Sequence, residues 1–144
     1  MRGRWSPMAC AIILFASPAM AADPMIGTWY GEGEPGDAGE VWLAHVLPDG
    51  TFKVTFRMCR PESRLLIDEG TWKVTGQQMI IAYDHGDGQP IHGRDVYQIL
   101  SSDGHRMQYK LTQSDSAPAA SIGFVFNSTK VPDDFKIPGC DFIS

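Results

Sequence analysis

TFKVTFRM, residues 51–58, is the most regular alternation of apolar and polar side chains in the chain. Every second residue from Phe52 onward is apolar, so in an extended strand these side chains share one face and the polar ones share the other. Pro48-Asp49-Gly50 stands immediately before the stretch and is typical of a tight turn, because glycine accepts the positive φ that many turns need. Residues 40–47 are therefore the predicted hairpin partner.

Short runs of the same kind recur along the chain, separated by Gly, Pro, Asp and Ser, and helical periodicity is almost absent. Short links join nearly all of these runs, as an up-and-down meander requires. Closure into a barrel would remove the exposed edges of such a sheet, which favours a barrel over a sandwich. We predict an all-β fold, an eight-stranded up-and-down antiparallel barrel forming a single domain over residues 22–144. The predicted strands are 26–31, 40–47, 51–58, 69–74, 77–83, 95–100, 105–111 and 122–127.

Two segments are predicted to lie outside the strands. DHGDGQPIHGR, residues 84–94, is polar and rich in glycine, and we predict a loop there that covers one mouth of the barrel. The chain after Asn127 contains Pro132, Pro138 and Gly139, which predicts a C-terminal tail. If the protein acts through its surface, the loop at 84–94 is the segment that would contact a protein partner.

Cys59 and Cys140 are the cysteines that remain beyond residue 21. In an exported protein such a pair is more often a disulfide than a reactive site, and two free thiols are the alternative. The side chain of Cys59 is one step out of phase with the apolar face of strand 51–58, so it is predicted to point outward. A tail that runs over the outside of the barrel would reach it there.

Residues 1–21 have the features of a cleavable signal peptide. Arg2 and Arg4 form a positive start, the apolar run MACAIILF covers residues 8–15, and Ala19-Met20-Ala21 fits the small-residue cleavage rule. The run is far shorter than the roughly 20 residues needed to span a bilayer, so no membrane span is predicted. We predict a periplasmic or secreted protein whose mature chain starts at Ala22.

Composition and motifs exclude several functions. The net charge of −5 argues against nucleic acid as a partner, because such partners need clustered positive charge. No nucleophile elbow or phosphate-binding glycine loop occurs, so we predict no enzymatic activity, no catalytic residue and no cofactor. His85, His92 and His105 lie near aspartates, but their spacing matches no metal loop, and solvated loop polarity is the preferred interpretation.

Gly27-Thr28-Trp29, at the opening of the first predicted strand, resembles the Gly-x-Trp start of lipocalins and the wider calycin group. Eight meandering strands suit the same group, which includes avidins, and Tyr30 strengthens the likeness to the opening strand of streptavidin. Asp95-Val96-Tyr97 matches the second lipocalin motif only loosely. No arginine follows the last strand, where lipocalins place one against the opening tryptophan, and Lys130 is the candidate substitute. The resemblance implies a packing role for Trp29 at the bottom of the barrel.

An eight-stranded barrel can be filled by its side chains or can hold one small ligand. Alternation predicts an interior rich in aromatic residues, with Leu43, Val54, Val74, Ile81, Tyr83, Met107 and Phe126 among its members. An open interior predicts binding of a small apolar or amphipathic molecule. A filled interior predicts a protein that acts through its surface, as an inhibitor or interaction module for another exported protein. The candidate ligand-binding residues are Trp29, Phe52, Phe56, Trp72, Tyr109 and Phe124.

Overall fold

A computed structural model describes residues 23–33 and 40–142, and the predicted signal peptide lies outside them. Within the described residues, no helix is long and apolar enough to cross a membrane. The regular structure consists of eight strands and the short 3-10 turns Ala119–Ser121 and Cys140–Phe142. The strands are β1 (Gly27–Glu32), β2 (Glu40–Val46), β3 (Thr51–Met58), β4 (Arg64–Thr75), β5 (Gln78–Gly86), β6 (Gln89–Ser102), β7 (Arg106–Ser114) and β8 (Val125–Val131).

The sheet is a closed antiparallel barrel in which each strand pairs with the next along the chain. β8 closes the sheet by pairing with β1, where Trp29 lies opposite Lys130 and Tyr30 opposite Thr129. The predicted fold class and up-and-down order are therefore confirmed. The hairpin at Asp49-Gly50 is confirmed as well: Gly50 has a φ of 85°, and Asp49 Oδ1 accepts a hydrogen bond from the Thr51 amide at 2.9 Å.

The prediction of a loop at 84–94 is wrong. These residues form the end of β5, a two-residue turn at Asp87-Gly88 and the start of β6. Asp87 and Gly88 have φ values of 51° and 75°, the left-handed conformation that tight hairpin turns require. Most side chains of this hairpin are exposed on both of its faces, so neither face needs apolar residues and the period-two pattern is absent.

The prediction of which face of β2 points into the barrel is also wrong. Trp42 and Ala44 face the interior, whereas Leu43 lies on the outer face opposite Tyr30 of β1. Leu43 is nevertheless only 6% exposed, and Val41 on the same face is 1% exposed. Both faces of β2 are apolar because both are buried, so alternation in the sequence does not distinguish them.

The C-terminal tail lies against the outside of the barrel. Thr28 of β1 donates a hydrogen bond from its hydroxyl to Asp133 Oδ1 at 2.7 Å, and Phe135 packs against Tyr30 with ring centroids 5.3 Å apart. The tail is then joined to the residue after β3 by the disulfide between Cys59 and Cys140, whose Cα atoms are 5.6 Å apart. The predicted disulfide is therefore confirmed, and with it the tail's course over the outer surface.

Candidate functional site

A cavity of about 480 Å³ lies inside the barrel, and all eight strands contribute to its lining. Alternate side chains of each strand turn inward, and most of these inward side chains are apolar. Aromatic and sulfur-containing side chains make up much of it, and polar atoms come from tyrosines, serines and two carboxylates. The apolar lining residues are Met25, Trp29, Trp42, Ala44, Val46, Phe52, Val54, Phe56, Trp72, Met79, Ile81, Met107, Leu111, Ala117, Pro118 and Phe126.

The structure brings together five of the six candidate ligand-binding residues. Trp29, Phe52, Phe56, Trp72 and Tyr109 line the cavity, and they come from β1, β3, β4 and β7. Neighbouring rings interlock around it: Tyr109 stacks on Phe126 with centroids 5.5 Å apart. The geometry favours a preformed aromatic lining, in which side chains hold one another in place.

Phe124 lies elsewhere. It precedes β8 and lines a second cavity of about 340 Å³, beside Tyr30 and Glu32 at the end of β1. The predicted strand 122–127 would have placed Phe124 and Phe126 on the same inner face. In the structure β8 begins only at Val125, and Gly123, with a φ of 92°, turns the chain just before it.

Trp29 of β1 is deeply buried and lines the cavity. It is 1% exposed, and its indole Nε1 donates a hydrogen bond to the Met25 carbonyl at 2.9 Å. Lys130 Nζ lies 5.1 Å from the centroid of the Trp29 ring and donates a hydrogen bond to the Pro24 carbonyl at 3.3 Å. Lys130 thus occupies the place over the opening tryptophan for which it was the candidate substitute.

The sequence reasoning missed the contribution of β2 to the cavity. Trp42 lies over Gly31, where an added Cβ would stand 2.2 Å from the indole ring, so only glycine fits at position 31. Ala44 and Val46 follow Trp42 along the same face. The signal was present in the alternation of Trp42, Ala44 and Val46, but Val41 and Leu43 gave an equally apolar alternative.

Asp95 of β6 is the polar centre of the cavity lining. It is 8% exposed, and its carboxylate accepts hydrogen bonds from three hydroxyl groups. Tyr83 and Tyr97 donate to Oδ2 at 3.1 and 3.2 Å, and Ser114 donates to Oδ1. Asp95 was predicted to begin strand 95–100 but was not assigned to the interior, although its alternation with Tyr97 indicates a shared inward face.

Ser114 connects this polar centre to the segment that follows β7. Its hydroxyl oxygen accepts hydrogen bonds from the backbone amides of Ser116 and Ala117 at 3.2 and 2.9 Å. Ala117 and Pro118 in turn line the cavity. The position of the Asp95 carboxylate is therefore fixed by donors from β5, β6 and β7 and, through Ser114, by the segment that follows β7.

The phenols of the cavity titrate at unusually high pH. Burial raises the pKa of Tyr83 and of Tyr97 well above its usual value near 10, and the nearby Asp95 carboxylate raises both further. Burial likewise raises the pKa of Tyr109 far above that value. All three side chains are therefore neutral hydrogen-bond donors at physiological pH.

Ser128 of β8 supplies a second polar point. The residue is 4% exposed and lines the cavity, and its Oγ has no hydrogen-bond partner among the described residues. The Ser128 hydroxyl is near enough to the Tyr109 phenol to act on its pKa, but the two groups lack hydrogen-bond geometry. A buried hydroxyl without a partner costs roughly 1–3 kcal/mol, which a bound molecule would recover.

The histidines do not gather with other ligands. Across residues 23–33 and 40–142, no group of three or more His, Cys, Asp or Glu side chains has the geometry to hold a metal ion. His85 and Asp84 form an exposed pair at 3.1 Å on the β5–β6 hairpin. His45 Nδ1 lies 3.0 Å from the Thr28 hydroxyl on the outer face of the barrel.

These features define the class of molecule: a small closed β-barrel with an internal, largely aromatic cavity and one disulfide. The fold is consistent with a calycin-like barrel, and the packing of Lys130 over Trp29 agrees with that likeness. No family model matches the chain, and neither does any curated protein. The candidate site therefore depends on its own geometry.

Proposed function

We propose that this protein is an exported, non-enzymatic barrel that binds one small apolar or amphipathic molecule in its interior. The observation that carries the proposal is the cavity of about 480 Å³ with its aromatic lining. Cavities of roughly 300–1,000 Å³ with apolar walls and a few polar groups are typical of small-molecule sites. The polar groups here are Asp95 with its hydroxyl donors and Ser128.

The cavity volume limits the size of the ligand. An apolar protein cavity of about 150 Å³ holds one benzene molecule. A volume of about 480 Å³ therefore has room for roughly three rings, or a short chain of similar bulk. The proposed ligand belongs to this range and is much smaller than a two-chain lipid.

The open interior argues for ligand binding over the surface-acting alternative. That alternative required a filled barrel and a polar contact loop at 84–94, and this segment is a hairpin beside an open cavity. Export is supported by the Cys59–Cys140 disulfide, since disulfides persist mainly in oxidising compartments outside the cytosol.

Quenching of tryptophan emission by Prodan, an uncharged two-ring dye, tests the proposal. Trp29, Trp42 and Trp72 line the cavity, so a dye inside it accepts energy from all three. The full chain is expressed with its own N-terminus and purified in the oxidised form. We expect saturable quenching with one dye molecule per chain.

Two variants separate binding in the cavity from binding outside it. Ala44→Phe adds a ring to the cavity, and a ring needs roughly 150 Å³, about a third of the volume, so we expect dye affinity to fall at least about tenfold. Thr71→Phe adds the same ring at an exposed position of β4 and is expected to leave affinity unchanged. Equal losses in both variants, or no quenching in the wild type, would contradict the proposal.

A further inference from the structure

The inference concerns the chemical class of the ligand and rests on the proposed function. The described residues that line the cavity include the carboxylates of Glu40 and Asp95 and no lysine, arginine or histidine. We infer that the cavity selects molecules in which an apolar, ring-sized body carries a protonated amine, and that Asp95 is the group that receives this amine. Fatty acids and other anionic amphiphiles are excluded by the same lining.

The Asp95 carboxylate can accept one more hydrogen bond and can pair with a cation. A carboxylate has about four acceptor positions, and hydroxyls of Tyr83, Tyr97 and Ser114 occupy three of them. None of these three donors carries a formal charge, and no lysine, arginine or histidine is among the described residues that line the cavity. An ammonium group would fill the remaining position and neutralise the charge.

The surroundings strengthen such an ion pair. Opposite charges attract far more strongly in a buried, water-poor cavity than at the protein surface. A ligand carboxylate at the same place would meet a like charge that burial makes costly. The same argument that favours an amine therefore disfavours an acid of equal size.

Aromatic rings close to Asp95 supply a second attraction for a cation. The Tyr83 ring packs edge-on against Phe52 with centroids 5.5 Å apart, and Tyr97 packs in the same way against Tyr109 at 5.3 Å. A cation above the face of such a ring is attracted by its electrons. The rings also supply the apolar walls for the body of the ligand.

Ser128 is an independent sign that the cavity takes a polar ligand. Its hydroxyl faces the same cavity, is buried, and has no hydrogen-bond partner among the described residues. A hydroxyl or amine hydrogen of the ligand would satisfy it. The cavity thus carries both a charged anchor and an unfilled hydrogen-bonding position.

Competition with bound Prodan tests the inference on the wild-type full chain. The competitors share one body and differ in the head group: 4-phenylbutylamine, 4-phenylbutan-1-ol and 4-phenylbutyrate. At neutral pH we expect the amine to displace the dye at a concentration at least about tenfold below that of the alcohol, and the acid to be weakest.

Substitution of the anchor completes the test. Asp95→Asn is expected to remove the amine's advantage over the alcohol, measured within that variant as the ratio of the concentrations at which the two competitors displace the dye. Asp115→Asn removes the same charge from an exposed position one residue after Ser114, and the amine's advantage is expected to survive it. If Asp95→Asn does not fold, the wild-type competition series decides the question.

The outcomes separate this inference from the function on which it rests. Dye binding with equal displacement by all three competitors, or with the acid strongest, would refute the amine selectivity and leave the proposed function intact. Loss of the amine's advantage in Asp115→Asn as well would assign it to general surface charge and not to Asp95. Absence of any dye or competitor binding would refute both.

Discussion

At the level of single residues, tyrosines supply much of the hydrogen bonding and aromatic packing in the interior. Tyr83 and Tyr97 orient the carboxylate of Asp95, while Tyr109 stacks on Phe126 in the cavity wall. The chain's remaining tyrosine, Tyr30, lies on the outer face beneath the tail, and burial followed by the charge of Glu32 raises its pKa. The pKa of every phenol in the chain is therefore raised.

We expect the native protein to resist phenolate formation in an alkaline titration followed by ultraviolet absorbance. Unfolded chains should titrate near pH 10, whereas the three phenols of the cavity should stay protonated well above that pH. Because the folded pKa values are raised, their contribution to stability is full below pH 10 and is lost as the pH rises. Each of the three buried phenols, Tyr83, Tyr97 and Tyr109, should lower the unfolding free energy by about 1.4 kcal/mol per pH unit above pH 10.

Tyr109→Phe is the control for this titration. It removes one buried phenol from the cavity wall and should reduce the alkaline loss of stability by the share of one group. Lysine deprotonation in the same pH range is unchanged by the variant, so the difference between the two proteins isolates the tyrosine. A native protein whose four phenols all titrate near pH 10 would contradict the burial described here.

Residue types predicted the aromatic part of the site better than its polar part. Trp29, Phe52 and Phe56 were assigned to the interior because apolar side chains in alternation have a strong reason to be buried. Asp95 was not assigned there because a carboxylate is buried only when partners compensate it, and those partners come from β5, β6 and β7. The sequence does not reveal that three hydroxyls converge on it.

At the level of elements, the C-terminal tail covers part of the outer face of β1, next to the buried outer face of β2. Phe135 packs on Tyr30 and Asp133 accepts the Thr28 hydrogen bond, while Leu43 and Val41 are buried on the same outer face. This is why the sequence predicted that β2 is a strand but did not predict which of its faces points into the barrel. Periodicity identifies a core face only where the opposite face meets water.

The disulfide fixes this tail, and its removal should be costly. Cys59 and Cys140 are 81 residues apart, and closing a loop of that length lowers the entropy of the unfolded chain by about 4.5 kcal/mol in free energy. We expect the Cys59→Ala/Cys140→Ala variant to lose roughly 4–5 kcal/mol of unfolding free energy in denaturant titrations. Trypsin should also cleave it faster after the exposed Lys136.

Prodan binding is the control for this variant, because the tail lies outside the barrel. We expect the double variant, while folded, to bind the dye as the wild type does. Wild-type protein with the disulfide reduced should behave in the same way. A variant with unchanged stability and unchanged tail cleavage would mean that the tail is held by its packing alone.

At the level of the whole molecule, the closed sheet and the disulfide stabilise the fold in different ways. The eight described strands form a closed sheet, because β8 pairs with β1. It leaves an interior cavity unfilled, however, and the packing lost there must be offset elsewhere. A covalent link between the tail and Cys59, the residue after β3, provides such an offset, but only where thiols are oxidised. The proposed export would supply that oxidising environment.

That connection gives a prediction for the intact protein. Expressed with its own first 21 residues in a bacterial cell, the chain should appear in the periplasm with Ala22 as its first residue and a mass lower by two hydrogens. Ala21→Leu, which puts a large side chain at the cleavage position, should leave the leader attached. A chain that lacks residues 2–21 should remain in the cytosol with free thiols and show the same loss of stability as the Cys59→Ala/Cys140→Ala variant. Recovery of the unprocessed wild-type chain from the cytosol would refute export, while the dye and competition experiments would still decide what the barrel binds.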